Sequence, residues 1–276
     1  MKKVTVVLSG LGAAGFSTIA IMEFFQKHGV TPNTIVGCST AAFVAALWAQ
    51  GCDSKDAASL IRQAYLATLK PQIDHYTSFF FFTGPKKGFH IDHGLLKADK
   101  TKEAFRQVFN KTLVEELPIK TFFHTTNIQN GEPYLIKSGS IAQAVYAASA
   151  ILPFNPPIHL HNLWLASGLF SESLPLRALL DESADIIVAA DIINKSEIKN
   201  ERFLNHYANF VDKAFKISSM PYTALIYDLH NNEIMIIPIE IKPKELNEPL
   251  VALEYSISFA RKNIEDRGDA ILDSLK

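Results

Sequence analysis

Cysteine is scarce in this chain: Cys38 and Cys52 are the only two among 276 residues. A disulfide framework needs more, and a structural zinc site normally needs four clustered Cys or His ligands, so neither is expected. The pair reads instead as two reduced, mostly buried thiols in a reducing compartment. Long apolar runs are missing as well. None approaches 18 residues, which excludes a spanning helix. Charge of one sign is also lacking, because 27 basic and 28 acidic side chains leave a formal net charge of -1. Without a long basic stripe to displace counterions from phosphates, no nucleic-acid partner is expected. Repeats, low-complexity tracts and linker-like breaks are absent, and 48% hydrophobic with 20% charged residues excludes a disordered or fibrous chain. The length fits one large α/β domain over residues 1–276. Lys2-Lys3 ahead of Val4–Leu8 imitates a signal peptide, but Gly10 and Gly12 cut the apolar stretch short. A strand feeding a glycine turn explains it better, and the expected location is cytoplasmic.

What is present alternates between strand and helix. Val4–Leu8 is a β-branched run, punctuated by Gly10, Gly12 and Gly15. From Phe16 the apolar spacing becomes helical through Ile19, Ala20 and Met22, stopping at His28-Gly29. Asn33–Gly37 is a second strand, followed by a helix from Thr40 to Gln50 that Gly51 ends. This β-turn-α-β-turn-α order predicts a three-layer α/β/α sandwich around a mainly parallel sheet. Ser54 and Thr101 read as N-caps of two further helices. Lys120–Ile128 and Glu132–Lys137 form a hairpin across Asn130-Gly131. Ser140–Ala150 is a small-residue helix, Asp185–Asp191 a buried parallel strand, and Ile234–Ile241 an edge strand because it contains Pro238. Leu253, Ile257, Ala260 and Ile264 line one stripe of a tail helix.

Phe79-Phe80-Phe81-Phe82, followed by Thr83-Gly84-Pro85-Lys86-Lys87-Gly88, is the most unusual stretch. Alternate phenylalanines packing into the core is the leading expectation. The competing one is a lid or loop touching a membrane peripherally, an apolar surface flanked by cations.

Gly10-x-Gly12-x-x-Gly15 between a strand and a helix invites a dinucleotide-binding reading, which requires an acidic residue at the end of the second strand. Between Glu23 and Asp53 there is no Asp or Glu. The second strand ends instead in Gly37-Cys38-Ser39-Thr40-Ala41. A serine on a tight strand-to-helix turn with small neighbours is a nucleophile elbow, and the dipole of the following helix favours an oxyanion beside it. The upstream glycine turn supplies backbone N–H groups, chiefly those of Gly12 and Ala13, suited to an oxyanion hole.

On these stretches the sequence resembles the patatin-like phospholipase family of lipid acyl hydrolases. Val7–Gly15 is similar to the family's oxyanion loop, and Ile35–Ala42 to its GxSxG elbow. Ala147–Pro153 with Pro156-Pro157 resembles the segment leading to the second catalytic residue. Ser167–Pro175 aligns with the stretch containing the family's Asp-Gly motif, and Ala184–Asp191 with the strand after it. The resemblance implies a Ser–Asp dyad, with Ser39 as nucleophile, Gly10, Gly12, Ala13 and Gly15 forming the oxyanion loop, lipid esters as substrates and no cofactor. Three marks depart from the pattern. Ser167 stands where the family has its aspartate, Ala14 where it carries Lys or Arg, and Ala41 where it carries glycine. A serine hydroxyl is far too weak a base to accept the nucleophile's proton.

Glu172, five residues past Ser167, and His159 and His161 just upstream are the candidate replacement bases. The His90-Ile91-Asp92-His93 cluster has loose ligand spacing without a third ligand and reads as a solvated loop, so no metal is expected. Two functions follow: a serine acyl hydrolase working through an acyl-Ser39 intermediate, or a catalytically silent lipid-binding or regulatory module on the same fold.

Overall fold

The computed structural model describes residues 2–68, 72–83, 90–179, 184–194, 213–215, 233–241 and 249–276. Its centre is strand β1 (Val4–Gly10), flanked by β2 (Thr34–Ser39) and, from much later in the chain, by the strand Ile186–Asn194. β1 is buried at every position, so both faces of this β-branched segment are covered. That is why it reads as a continuous apolar run instead of an alternating one. After β1 come α1 (Gly12–Phe16) and α2 (Ile19–Lys27); after β2 comes α3 (Ala41–Ala49). Every residue of α3 is buried, as expected for a helix that is apolar on all sides.

Helix α4 (Ser54–Thr68) already includes its predicted cap as its first residue. Asp53 occupies the cap position, its Oδ1 accepting the Lys55 N–H at 2.8 Å. A two-stranded ribbon of β3 (Gln72–Ile73) and β4 (Leu96–Lys97) brackets α5 (His75–Thr83). Helix α6 (Asp99–Phe109) begins ahead of Thr101, which therefore sits inside its first turn. The predicted hairpin is β5 (Lys120–Asn127) with β6 (Pro133–Ile136), and of its two turn residues Gly131 takes the positive φ, +78°. Helix α7 (Ile141–Ser149) leads to the hairpin β7 (Ile158–Leu160) and β8 (Leu163–Ser167), and the two late strands are β9 (Ile186–Asn194) and β10 (Glu233–Ile241). The sheet order is β10-β9-β1-β2-β5-β8-β7, with β6 also on β5. β10 is at the edge, where Pro238 is tolerated. The strands from β10 to β5 run parallel; β6 and β8 pair antiparallel with β5, and β7 antiparallel with β8.

One face of the sheet carries Val6, Leu8, Ile35, Phe123 and Val188, packed with the helices in a single apolar cluster. Leu253, Ile257, Ala260 and Ile264 of the tail helix Pro249–Glu265 close that side, all buried. The other face carries Val7, Val36, Phe122, Ile187 and Ala189 beneath Leu174, Leu176 and Leu179.

The aromatic stretch is helical, and Phe79 is 62% exposed beside Tyr76 at 64%. The side chains of Phe80–Phe82 and the turn from Gly84 to Gly88 lie outside the described residues. Among the described residues no helix is long and apolar enough to cross a membrane, and no three His, Cys, Asp or Glu side chains are grouped to hold a metal ion.

Candidate active site

The second strand-to-helix turn is a strained elbow. Ser39 has φ +55°, a left-handed conformation that costs a non-glycine residue about 1–3 kcal/mol and persists only where the surroundings enforce it. They do so here. A Cβ on Gly37 would stand 2.7 Å from Ala42 Cα and 2.8 Å from Ala45 Cβ, so α3 rests directly on β2. The Thr40 N–H donates to the Gly10 carbonyl at 3.0 Å. Ser39 is fully buried, and its Oγ finds no hydrogen-bond partner among the described residues.

The glycine turn touches this elbow. A Cβ on Gly15 would overlap the Gly10 carbonyl oxygen and stand 2.9 Å from Ala41 N, so only glycine lets the two turns meet. Gly12, at φ +59°, donates its N–H to Thr40 Oγ1 at 2.9 Å. Ala13 follows in the first turn of α1, where N–H groups have no intrahelical acceptor.

Strand pairing brings Ser167 to the same place. β6 occupies one edge of β5 along Phe123–Thr126. The other edge is shared: β2 pairs with Lys120–His124, and β8, running the opposite way, with Thr125–Asn127. The C-terminal ends of β2 and β8 therefore meet beside His124 and Thr125, placing Ser39 and Ser167 end to end. Ser167 is fully buried; its carbonyl accepts the Thr126 hydroxyl at 2.9 Å and its Oγ accepts the Leu169 N–H at 3.4 Å.

Beneath this junction runs a polar row. Ser9 of β1 is in register with Cys38 of β2, and Cys38 with His124 of β5, so all three project to the same face of the sheet. The chain leaving β8 folds over them. A Cβ on Gly168 would overlap His124 Nδ1 and stand 2.5 Å from the His124 carbonyl oxygen. Cys38 Sγ lies 3.9 Å from the Glu172 carbonyl, and Ser9 Oγ donates to the Ser173 carbonyl. Burial pushes the Cys38 thiol up to about 12, with the Glu172 charge adding to the effect, so it is not a nucleophile near neutrality.

His124 is 1% exposed, and neither ring nitrogen has a hydrogen-bond partner among the described residues. Desolvation pulls its pKa down to about 3, so the resting imidazole is neutral. Glu172 is 4% exposed, with Arg177 Nη1 4.0 Å from an Oε1 that makes no hydrogen bond among the described residues. Burial raises its carboxyl to about 7 against the opposing pull of Arg177.

The two histidines read from the sequence lie elsewhere. His159 is exposed on β7, the outermost strand, opposite Trp164 with ring centroids 5.0 Å apart. Trp164 is three residues from Ser167, about 10 Å along β8. His161 sits at φ +52° in the β7–β8 turn beside Tyr134. Sequence reasoning missed His124, which it passed over as one position of a strand. The available signal was a histidine at a buried parity position near the C-terminal end of a strand next to the elbow's own.

The family model described as patatin-like phospholipase matches residues 6–180. The lysophospholipase NTE1 of Scheffersomyces stipitis is 26% identical over 200 residues, covering 68% of this chain and 12% of that protein. An uncharacterized NTE family protein of Mycobacterium tuberculosis is 24% identical over 186 residues, covering 67% of this chain and 30% of that one. The chain thus spans less than a third of the length of either relative. Among solved structures, VipD from Legionella pneumophila has a TM-score of 0.49 at 15% identity, covering 96% of this chain and 67% of that one.

Proposed function

This chain belongs to the patatin-like phospholipase family, and from that premise we propose that it is a serine acyl hydrolase of lipid esters with Ser39 as nucleophile. The observation that carries the reading is the strained elbow: a buried serine at φ +55° with an unpartnered Oγ, beside the glycine turn. Ser39 Oγ bonds to the ester carbonyl carbon as its proton leaves. The Gly12 and Ala13 N–H groups hold the resulting oxyanion, which requires Gly12 to release Thr40 Oγ1. The alcohol departs with a proton, and water then frees the acyl group from Ser39. Nothing in the scheme calls for a metal or nucleotide. Ser167 takes no proton. Glu172, five residues past the lost aspartate's position, is a buried carboxyl on the chain that folds over Cys38. Exposed Phe79 and Tyr76 on α5 supply an apolar surface for peripheral contact with the lipid phase.

A lipid-binding module without turnover is the second reading, favoured by Ser167 in the aspartate's position. Hydrolysis of a short chromogenic acyl ester by the parent, Ser39→Ala and Ser167→Asp decides between them. Turnover by the parent that is lost in Ser39→Ala is the expected result. A silent parent with activity appearing in Ser167→Asp favours the binding module. Silence in all three overturns the hydrolase reading.

A further inference from the structure

Four buried side-chain atoms among the described residues lack a hydrogen-bond partner: Ser39 Oγ, both ring nitrogens of His124, and Glu172 Oε1. Buried polar groups are almost always paired, and leaving one unpaired costs about 1–3 kcal/mol. The residues that carry them are neighbours in the fold: Ser39 follows the residue in register with His124, and the chain carrying Glu172 folds over both strands. The types are also specific: a hydroxyl, an imidazole and a carboxyl, the three groups from which a proton-transfer chain is built.

We propose that the His124 imidazole takes the proton from Ser39 Oγ, in place of the absent aspartate, with Glu172 as a positioning residue that answers the imidazolium's charge. This deepens the hydrolase reading and rests on it. The shared edge of β5 supports it, since His124 lies opposite Cys38, the residue before Ser39, and next to Thr125, opposite Ser167. The cover does too: Gly168 rests on the imidazole ring, so the ring lies beneath the residue that follows the lost dyad position. As Oγ bonds to the ester carbon, its proton passes to a ring nitrogen; when the carbon–oxygen bond to the alcohol breaks, the imidazolium returns the proton to that oxygen. Water attacking the acyl-serine repeats both transfers, and the enzyme ends unchanged. The ring's low resting basicity reflects burial with no charge to answer. The oxyanion and the Glu172 carboxylate supply that charge during reaction. Catalytic hydrogen bonds are often long in the empty site and tighten only around substrate.

The test uses the full chain, a short chromogenic acyl ester and a fluorophosphonate that labels activated serines. His124→Gln is expected to lower ester turnover and labelling by about 100-fold or more, while its thermal unfolding stays cooperative. Adding Ser167→Asp to His124→Gln restores at least part of both, because an aspartate reinstates a base at the older position. His124→Gln within about threefold of the parent overturns the proposal and leaves the hydrolase reading standing. A parent that neither turns over nor labels overturns both. Should His124→Gln fail to fold, nitrogen NMR of the histidine-labelled parent with a boronic acid bound to Ser39 decides. A new imidazolium signal, absent in Ser39→Ala, is expected, and a ring that stays neutral in the adduct overturns the proposal.

Discussion

Phe123 and His124 are consecutive on β5 and point to opposite faces of the sheet. Phe123 enters an apolar layer in which α3, buried at all nine positions, lies against β2 through Ala42 and Ala45 at Gly37. His124 enters a face that is apolar only as far as Val7, Val36 and Phe122 and then turns polar at Ser9, Cys38 and His124. The first face makes the strands immobile. The second uses that immobility to hold unpaired groups that would otherwise collapse onto one another or admit water. A single strand, by its period of two, serves both ends at once.

Acidification separates the faces most strongly, because the titrating pair lies on one of them. His124 is neutral in the fold and protonates in the unfolded chain below about 6.5, so the unfolded state binds more protons. Its contribution to stability is lost as pH falls from 6.5 toward 3, about 5 kcal/mol in full. Glu172 has the opposite sign. Its raised carboxyl makes the folded state the better proton binder, so stability is gained as pH falls from 7 to 4.5, by about 3 kcal/mol. Cys38, between them, stays a thiol throughout. The parent's urea midpoint should therefore be nearly flat from pH 7 to 4.5 and fall below that. Glu172→Gln should start the decline near 6.5, and His124→Leu should turn it into a gain on acidification. Parallel profiles for parent and both variants would refute this account.

Phe123→Ala breaks the other face. Removing a fully buried ring should cost about 3–5 kcal/mol by chemical denaturation, yet leave the shape of the pH profile unchanged. A smaller effect comes from the tie between the two turns. Thr40→Val removes the acceptor of the Gly12 N–H and should lower stability by about 1 kcal/mol without lowering ester turnover, since that N–H must leave Thr40 to meet an oxyanion. The smallest belongs to the outer surface of the helical layer. Glu23 accepts a two-pronged bond from Arg261 at 2.7 Å on both arms, in partial solvent, and Glu23→Gln should shift the midpoint by no more than about 1 kcal/mol.

The dry face was the more legible in sequence. Its strands and helices announce themselves by period and by β-branched or small residues, and the tail stripe of Leu253, Ile257, Ala260 and Ile264 is buried as its spacing predicts. The elbow and glycine turn were readable because backbone geometry restricts which residues stand there. What stayed hidden depends on pairing between distant segments. Nothing local reveals that β8 continues the edge β2 leaves free, so nothing local brings His124 under Ser167-Gly168 or sends His159 and His161 to the outer hairpin. The caps at Asp53 and Ala98, in place of Ser54 and Thr101, were missed by one and three residues: at the first, two polar residues stand side by side, and at the second no side chain caps the helix, so nothing marks the position.

The pairing of β1 with β9 has a consequence for synthesis. Val4 lies in register with Ile186 and Leu8 with Ala190, so one edge of the sheet's central strand waits for a partner that the ribosome makes about 180 residues later. At a typical 5–20 residues per second that is roughly 10 to 35 s. Throughout it the growing chain presents an open strand edge rich in β-branched residues, the kind of surface that invites wrong pairing between neighbouring chains. The elbow emerges early, but the rigid sheet that strains it arrives late. A nascent chain therefore carries the serine long before it carries the site.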